Sequence, residues 1–146
     1  LEVLTKSMEL ARHIASRGRE GHAVGAIFAI GPLPILRKHS TAIVLNPFKG
    51  HNTEKRSILS KDNHETFAEF AWLDGAIFFN KDGIASDAGR YIQVPSGIST
   101  KSGEGGRHLA ARAISQLGEC ISICVSSSGS ITLYVNGRDR YKVKMS

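Results

Sequence analysis

Between Glu2 and Arg17 the apolar residues Leu4, Met8, Ala11 and Ala15 recur at helical spacing, so residues 2–17 read as an amphipathic helix that Gly18 ends. The period then changes. Val24 to Ile30 (VGAIFAI) is an unbroken apolar run between Gly21 and Gly31, the pattern of a strand buried on both faces. Thr41 to Leu45 predicts a second strand, stopped at Asn46-Pro47. Asp62 or Asn63 can cap a helix running to about Trp72, with Phe67, Phe70 and Ala71 on its inner face.

Gly75 to Phe79 is a further apolar strand, and Asn80 to Gly83 has the chemistry of a hairpin turn. Ile84 to Val94 continues as one or two strands broken near Gly89. Pro95 to Gly106 holds four glycines and three serines and reads as a loop. Helical spacing returns from Arg107 to Leu117, through Leu109, Ala113 and Ile114, and Gly118 stops it. Ile121 to Val125 and Ile131 to Val135 flank Ser126 to Ser130 as a hairpin, and Asn136-Gly137 turns the chain into a last strand, Tyr141 to Met145. No repeat or low-complexity tract interrupts this order. Helices interleaved with apolar strands indicate an α/β domain with a mixed sheet.

A length of 146 residues fits one domain with one core, taken as residues 1–146 with an N-terminal helix over 1–20 and a core over 21–146. The chain opens on Leu1 rather than Met, the expectation for a piece of a longer protein. No run reaches the roughly 18 apolar residues of a spanning helix, and no charged-then-apolar leader opens the chain. Nineteen basic against 13 acidic residues give a charge of +6, which concentrates anionic ligands without choosing among nucleotides, nucleic acid and phospholipid. Cys120 and Cys124 share a strand-like run; four residues apart on a strand they stand ~13 Å from one another, beyond the about 7 Å that a disulfide tolerates. They read as buried, reduced thiols of a cytoplasmic protein. His13, His22, His39, His51 and His64 lack metal-ligand spacing.

Two segments carry chemistry. Ser102-Gly103-Glu104-Gly105-Gly106-Arg107-His108 leads directly into a helix. Glycines allow close backbone approach, a helix start offers unpaired N–H groups and partial positive charge, and Arg107 adds a fork for two phosphate oxygens. His108 can donate a hydrogen bond or ligate a metal shared with the phosphates. The segment is either a phosphate cradle or a plain linker into a capped helix; it matches neither the Walker pattern nor the dinucleotide fingerprint. Asp74, between a helix and a strand, is either a turn residue or a carboxylate placed for Mg²⁺ or a sugar hydroxyl, with Gly75 and Ala76 leaving room beside it.

Taken together, Asp74-Gly75-Ala76 and Gly105-Gly106-Arg107-His108-Leu109-Ala110-Ala111 resemble the paired signature of the diadenylate cyclase domain family, usually Asp-Gly-Ala and then Gly-Thr-Arg-His-Arg-Ala-Ala. Gly89-Arg90-Tyr91-Ile92 and Val125-Ser126 extend the resemblance, and Val24 to Phe28 and Asn46-Pro47-Phe48 are similar to its archaeal members, so that it covers about residues 21–137. It implies a mixed β-sheet surrounded by helices, one ATP per domain, and a nucleotidyltransferase that condenses two ATP into the second messenger cyclic di-AMP plus two pyrophosphates. The implied partners are ATP, Mg²⁺ or Mn²⁺, and a second copy in a face-to-face dimer or larger homo-oligomer. By the same resemblance Asp74, Arg107 and His108 are catalytic, Asp74 and His108 hold the metal, and Gly75, Ala76, Ile92, Gly105, Gly106, Leu109 and Ser126 bind nucleotide, with Ile92 walling the adenine.

This chain departs from the signature at two positions. Gly106 replaces a threonine and deletes a hydroxyl; Leu109 replaces an arginine and deletes a cation. Arg112, three positions on, lies near the face of Leu109 but one turn deeper. Ser127-Ser128 stand where many relatives are acidic. The departures leave a second expectation, a sensor that binds ATP or cyclic di-AMP without turnover. A third, a basic nucleic-acid module, lacks aromatic residues interleaved with its cations.

Overall fold

The computed structural model describes residues 1–17, 25–95 and 105–144. Gly18, Gly21, Val24, Met145 and most of the expected glycine-rich loop lie outside them. The described residues form a seven-stranded mixed sheet with helices on both faces, as expected.

The parallel pair at its centre explains the architecture. β1 (Ala26–Ile30) runs parallel to β3 (Ala76–Phe79), with Phe28 opposite Ile77, and antiparallel to β5 (Ile121–Val125). Parallel strands must be covered on both faces. Accordingly every residue of β1 and β3 is buried. Alternate side chains of β1 go to opposite layers, Ala26, Phe28 and Ile30 to one core and Ile27 and Ala29 to the other. The first core is closed by α1 (Glu2–Arg17), through Met8, Leu10, Ala11 and Ile14, and by α3 (His64–Phe70), through Phe67 and Ala68. Phe67 meets Phe79 edge-on at 5.3 Å between ring centroids. The second core is closed by α2 (Leu33–Lys38) and α4 (Gly106–Ser115), through Leu36, Ala111 and Ile114.

On one side of the central pair, β4 (Ala85–Ile92) joins β3, and β2 (Ser40–Ala42) forms the edge. On the other, β5 leads by hairpins to β6 (Ser130–Val135) and β7 (Arg138–Lys144). The Asn136-Gly137 turn has φ of 54° and 77°, positive at both central residues as a type I′ turn requires, so β7 starts at Arg138, ahead of the expected Tyr141.

β4 is a single strand, within the expectation of one or two, because Gly89 takes φ 68° and absorbs a register shift as a bulge. Three details differ from expectation, each for a local reason. Opposite that bulge the ladder ends, so β2 stops at Ala42; Ile43 N–H still donates to the Gly89 carbonyl at 3.0 Å, and Ile43 to Leu45 lie exposed. Asn63 occupies the N-cap position of α3, but its side-chain amide donates to the Glu54 and Ser57 carbonyls at 2.7 and 2.9 Å instead of capping the helix. The six-residue α2 was not expected. Pro34 in its first turn is tolerated there, since those N–H groups have no helical partner. Arg37 ties α2 to the sheet through the buried Asp87, Nη2 to Oδ1 at 2.9 Å.

Candidate active site

The parallel register brings Gly25, just ahead of β1, and Asp74, two residues ahead of β3, to the same end of the sheet. The amino end of α4 arrives at that end from the second core. Between them lies a cavity of about 930 Å³. Its strand side is made by Gly25, Ile27, Gly75, Ala76 and Ile92, its helix side by Gly106, Arg107, Leu109 and Ala110, and its mouth by Asp74, Trp72 and Tyr91. The volume falls within the range of small-molecule sites, and the walls are apolar with a few charges, as such sites require.

Gly75 explains why the Asp74 mouth is open. Its φ is 101°, and a Cβ there would stand 2.7 Å from the Arg90 carbonyl oxygen in the neighbouring strand. Only glycine lets the chain bend into β3 this close to β4. Arg90 is partly buried and already engaged, its Nε on Ser40 Oγ and its Nη2 on the carbonyls of Arg37 and Ser40, all at 3.1 Å. Arg107 differs: it is exposed, stands in the first turn of α4, and its guanidinium donates no hydrogen bond to the described residues. Gly105 caps that helix without a side-chain bond, so the first N–H groups of α4 remain available beside Arg107.

Of the residues singled out from sequence, Asp74, Gly75, Ala76, Ile92, Gly106, Arg107 and Leu109 line this one cavity. Gly105, His108 and Ser126 do not. His108 Nδ1 lies 2.9 Å from the Tyr134 hydroxyl, a contact that ties α4 to β6. Ser126 Oγ is held within its own turn by Ser128 and Ser130 at 2.8 and 2.7 Å, and its neighbour Ser127 lines the cavity instead. Arg112 is buried and does not line the cavity, so it does not replace the cation lost at Leu109. Sequence reasoning gave no role to Gly25, Trp72, Arg90 or Tyr91. The parallel pairing of β1 with β3 is what brings Gly25 to Asp74.

Both cysteines are free and buried, as expected. Burial pushes the Cys124 thiol up to about 12, with the positive charge of Arg107 pulling the other way; burial and Glu119 raise Cys120. In the unfolded chain such a thiol ionises near 9.0. A raised folded value leaves stability intact below the unfolded value and removes it as pH climbs toward the folded one. The melting temperature should therefore fall between pH 9 and pH 11, and Cys124→Ala, less stable at pH 8, should show a shallower fall in the same scan.

A family model described as DisA bacterial checkpoint controller nucleotide-binding matches residues 13–138, most of the chain. The chain belongs to the diadenylate cyclase family. Among its relatives is the diadenylate cyclase of Methanocaldococcus jannaschii, 37% identical over 128 residues, a match covering 88% of this chain and 40% of that protein. Another is the diadenylate cyclase of Haloferax volcanii, 28% identical, covering 92% of this chain and 49% of that protein. The chain thus spans less than half the length of either. The fold of this diadenylate cyclase domain is similar to that of DacA from Staphylococcus aureus, solved as an N166C/T172C double mutant, with TM-score 0.64, 20% identity, and coverage of 97% and 87% of the two chains. It is also similar to a hypothetical membrane-spanning protein of Bacillus cereus, with TM-score 0.69, 17% identity, and coverage of 97% and 63%. Among the described residues of this domain no helix is long and apolar enough to cross a membrane.

Proposed function

We propose that the domain joins two ATP molecules into cyclic di-AMP, each of two facing copies presenting one ATP. The observation that carries this is that Asp74 and Arg107, far apart in sequence, line one nucleotide-sized cavity in a chain of this family. The 3′-oxygen of each ATP forms a bond to the α-phosphorus of the other. The bond from that phosphorus to the bridging β-phosphate oxygen breaks, pyrophosphate leaves, and the hydroxyl proton passes to water. Such chemistry asks mainly for in-line placement and neutralised charge. Arg107 and the first N–H groups of α4 grip the phosphates, while Ile27, Ala76 and Ile92 offer the adenine an apolar wall. Leu109 lines the cavity where the family signature has arginine, which favours slow turnover and supports the sensor as the second reading.

Asp74 is a hard oxygen donor and fits Mg²⁺ or Mn²⁺ completed by phosphate oxygens and water, the usual manner in which nucleotides carry Mg²⁺ into sites. Among the described residues no three metal-ligating side chains cluster, which agrees with a metal that arrives with the nucleotide. When bound, the metal would neutralise phosphate charge and ease loss of the 3′-hydroxyl proton.

Two copies are required because one cavity presents one ATP, and the product has twofold symmetry. The surface beside the mouth suits a second copy. Leu45 is 95% exposed and Tyr91 59%, and Val44 Cγ2 stands 2.8 Å from where a Cβ on Gly89 would be, a point that is 3.8 Å from the Asp74 carbonyl oxygen. An uncharged run such as Ile43-Val44-Leu45, next to an edge strand, is a surface that proteins normally cover. Leu45→Glu should leave the melting temperature within about 2 °C, abolish the dimer in sedimentation, and lower turnover at least about tenfold. A monomer of undiminished rate would end the two-copy proposal.

The deciding experiment incubates the protein with ATP and Mg²⁺ or Mn²⁺ and separates cyclic di-AMP and pyrophosphate by chromatography. Trp72, the single tryptophan, lines the cavity, so its fluorescence reports binding independently. Product supports the cyclase. Saturable binding without product supports the sensor. Neither binding nor product would overturn the assignment of the cavity.

A further inference from the structure

Gly25 is glycine for a reason that its backbone does not supply. Its φ lies outside the left-handed region, so an L-residue could adopt its conformation. Space is the constraint. The three atoms nearest to a Cβ built on Gly25 all belong to the Arg107 guanidinium, Nη1, Cζ and Nε, with Nε at 2.8 Å. Gly75 is different, since its would-be Cβ meets strand backbone. The guanidinium therefore lies flat on the bare end of β1, at the end of the sheet that also carries Asp74, and both residues line the cavity. From that position the positive charge of Arg107 also reaches the buried Cys124 in the adjacent strand β5.

We infer that Gly25 is a positioning residue, the seat that aims the Arg107 guanidinium into the cavity toward the phosphates of a nucleotide. The inference rests on the nucleotide reading of the cavity. An arginine side chain has many rotamers and little reason to hold one at an exposed helix start; a flat, empty seat removes the obstacle to one of them. With a methyl group on Gly25 the flexible head swings away while the backbone stays, because none of the three nearest atoms belongs to backbone. The change should act on binding and spare the fold.

The test compares Gly25→Ala, Arg107→Ala and the double variant for ATP binding, with Mg²⁺, by Trp72 fluorescence, alongside thermal melting. Loss of one charge-assisted contact predicts weakening of about tenfold to a hundredfold for Arg107→Ala. Gly25→Ala should approach that loss, the double variant should be no weaker than Arg107→Ala, and all melting temperatures should stay within about 3 °C of the parent. A second pair guards against a general effect of the added methyl. In an Arg107→Lys background, whose compact head does not need the seat, Gly25→Ala should change nothing. The ¹⁵Nε–H resonance of Arg107 should also shift in Gly25→Ala. If Arg107→Ala is weak and Gly25→Ala binds like the parent, or if the two losses add, the seat is wrong and the cavity reading survives. If Arg107→Ala binds ATP like the parent, the phosphate role of Arg107 falls and the inference with it.

Discussion

Asp74→Asn should lower cyclic di-AMP formation by at least about a thousandfold while ATP still binds. The amide keeps the shape of the carboxylate and loses its charge, so the loss falls on the metal contact and on activation of the 3′-hydroxyl. Interactions of that kind are worth several kcal/mol in the transition state, and each tenfold in rate is about 1.4 kcal/mol. Asp74 is exposed, without a hydrogen-bond or ion-pair partner among the described residues, so the melting temperature should move by less than about 2 °C. Binding of metal-free ATP should hold or tighten, since a negative charge beside the triphosphate is gone. The measurement is product and pyrophosphate at saturating ATP, set against Trp72 fluorescence titration. Activity within tenfold of the parent would remove Asp74 from the chemistry.

The second large effect belongs to the neighbouring residue and is one of stability. Gly75→Ala puts a Cβ on a residue at φ 101°, 2.7 to 2.8 Å from the backbone O, C and N of Arg90. Backbone in a paired strand cannot step aside as a side-chain tip can. Strain at positive φ and forced separation of β3 from β4 each cost about 1–3 kcal/mol, together about 2–6. For a domain of this size that is a fall of about 6–24 °C in melting temperature. Circular dichroism on heating would show it, and a fall under about 3 °C would mean that the strands part easily here. The same change presses on Arg90, whose bonds to Ser40 and Arg37 hold β2 and α2, so nucleotide binding should weaken along with stability.

How much of this could be read from sequence differs from element to element. The buried central strands were legible because a strand covered on both faces has no polar positions, and Ala26–Ile30 and Ala76–Phe79 are unbroken apolar runs. α1 was legible from its period. α2 was not, because six residues with a proline show no period to detect. The length of β2 depended on a bulge at Gly89, which sits in another strand. Within the site, Asp74 and Arg107 stood out by motif, as did the glycines beside them. Gly25 carried no chemical signal of its own, and Ser127 rather than Ser126 lines the cavity for reasons of turn geometry within Ser126–Ser130.

By itself, then, the order of residues determined the α/β class, the buried strands, the family signature and the two segments that bear charge. These follow from local periodicity and from residue types adjacent in the chain. Only the tertiary structure decided that Asp74 and Arg107 share a cavity, that His108 turns to Tyr134, and that a bare Gly25 lies under the guanidinium. Each of these depends on which strand pairs with which and on where a helix end lands, and such long-range packing leaves no trace in neighbouring residues.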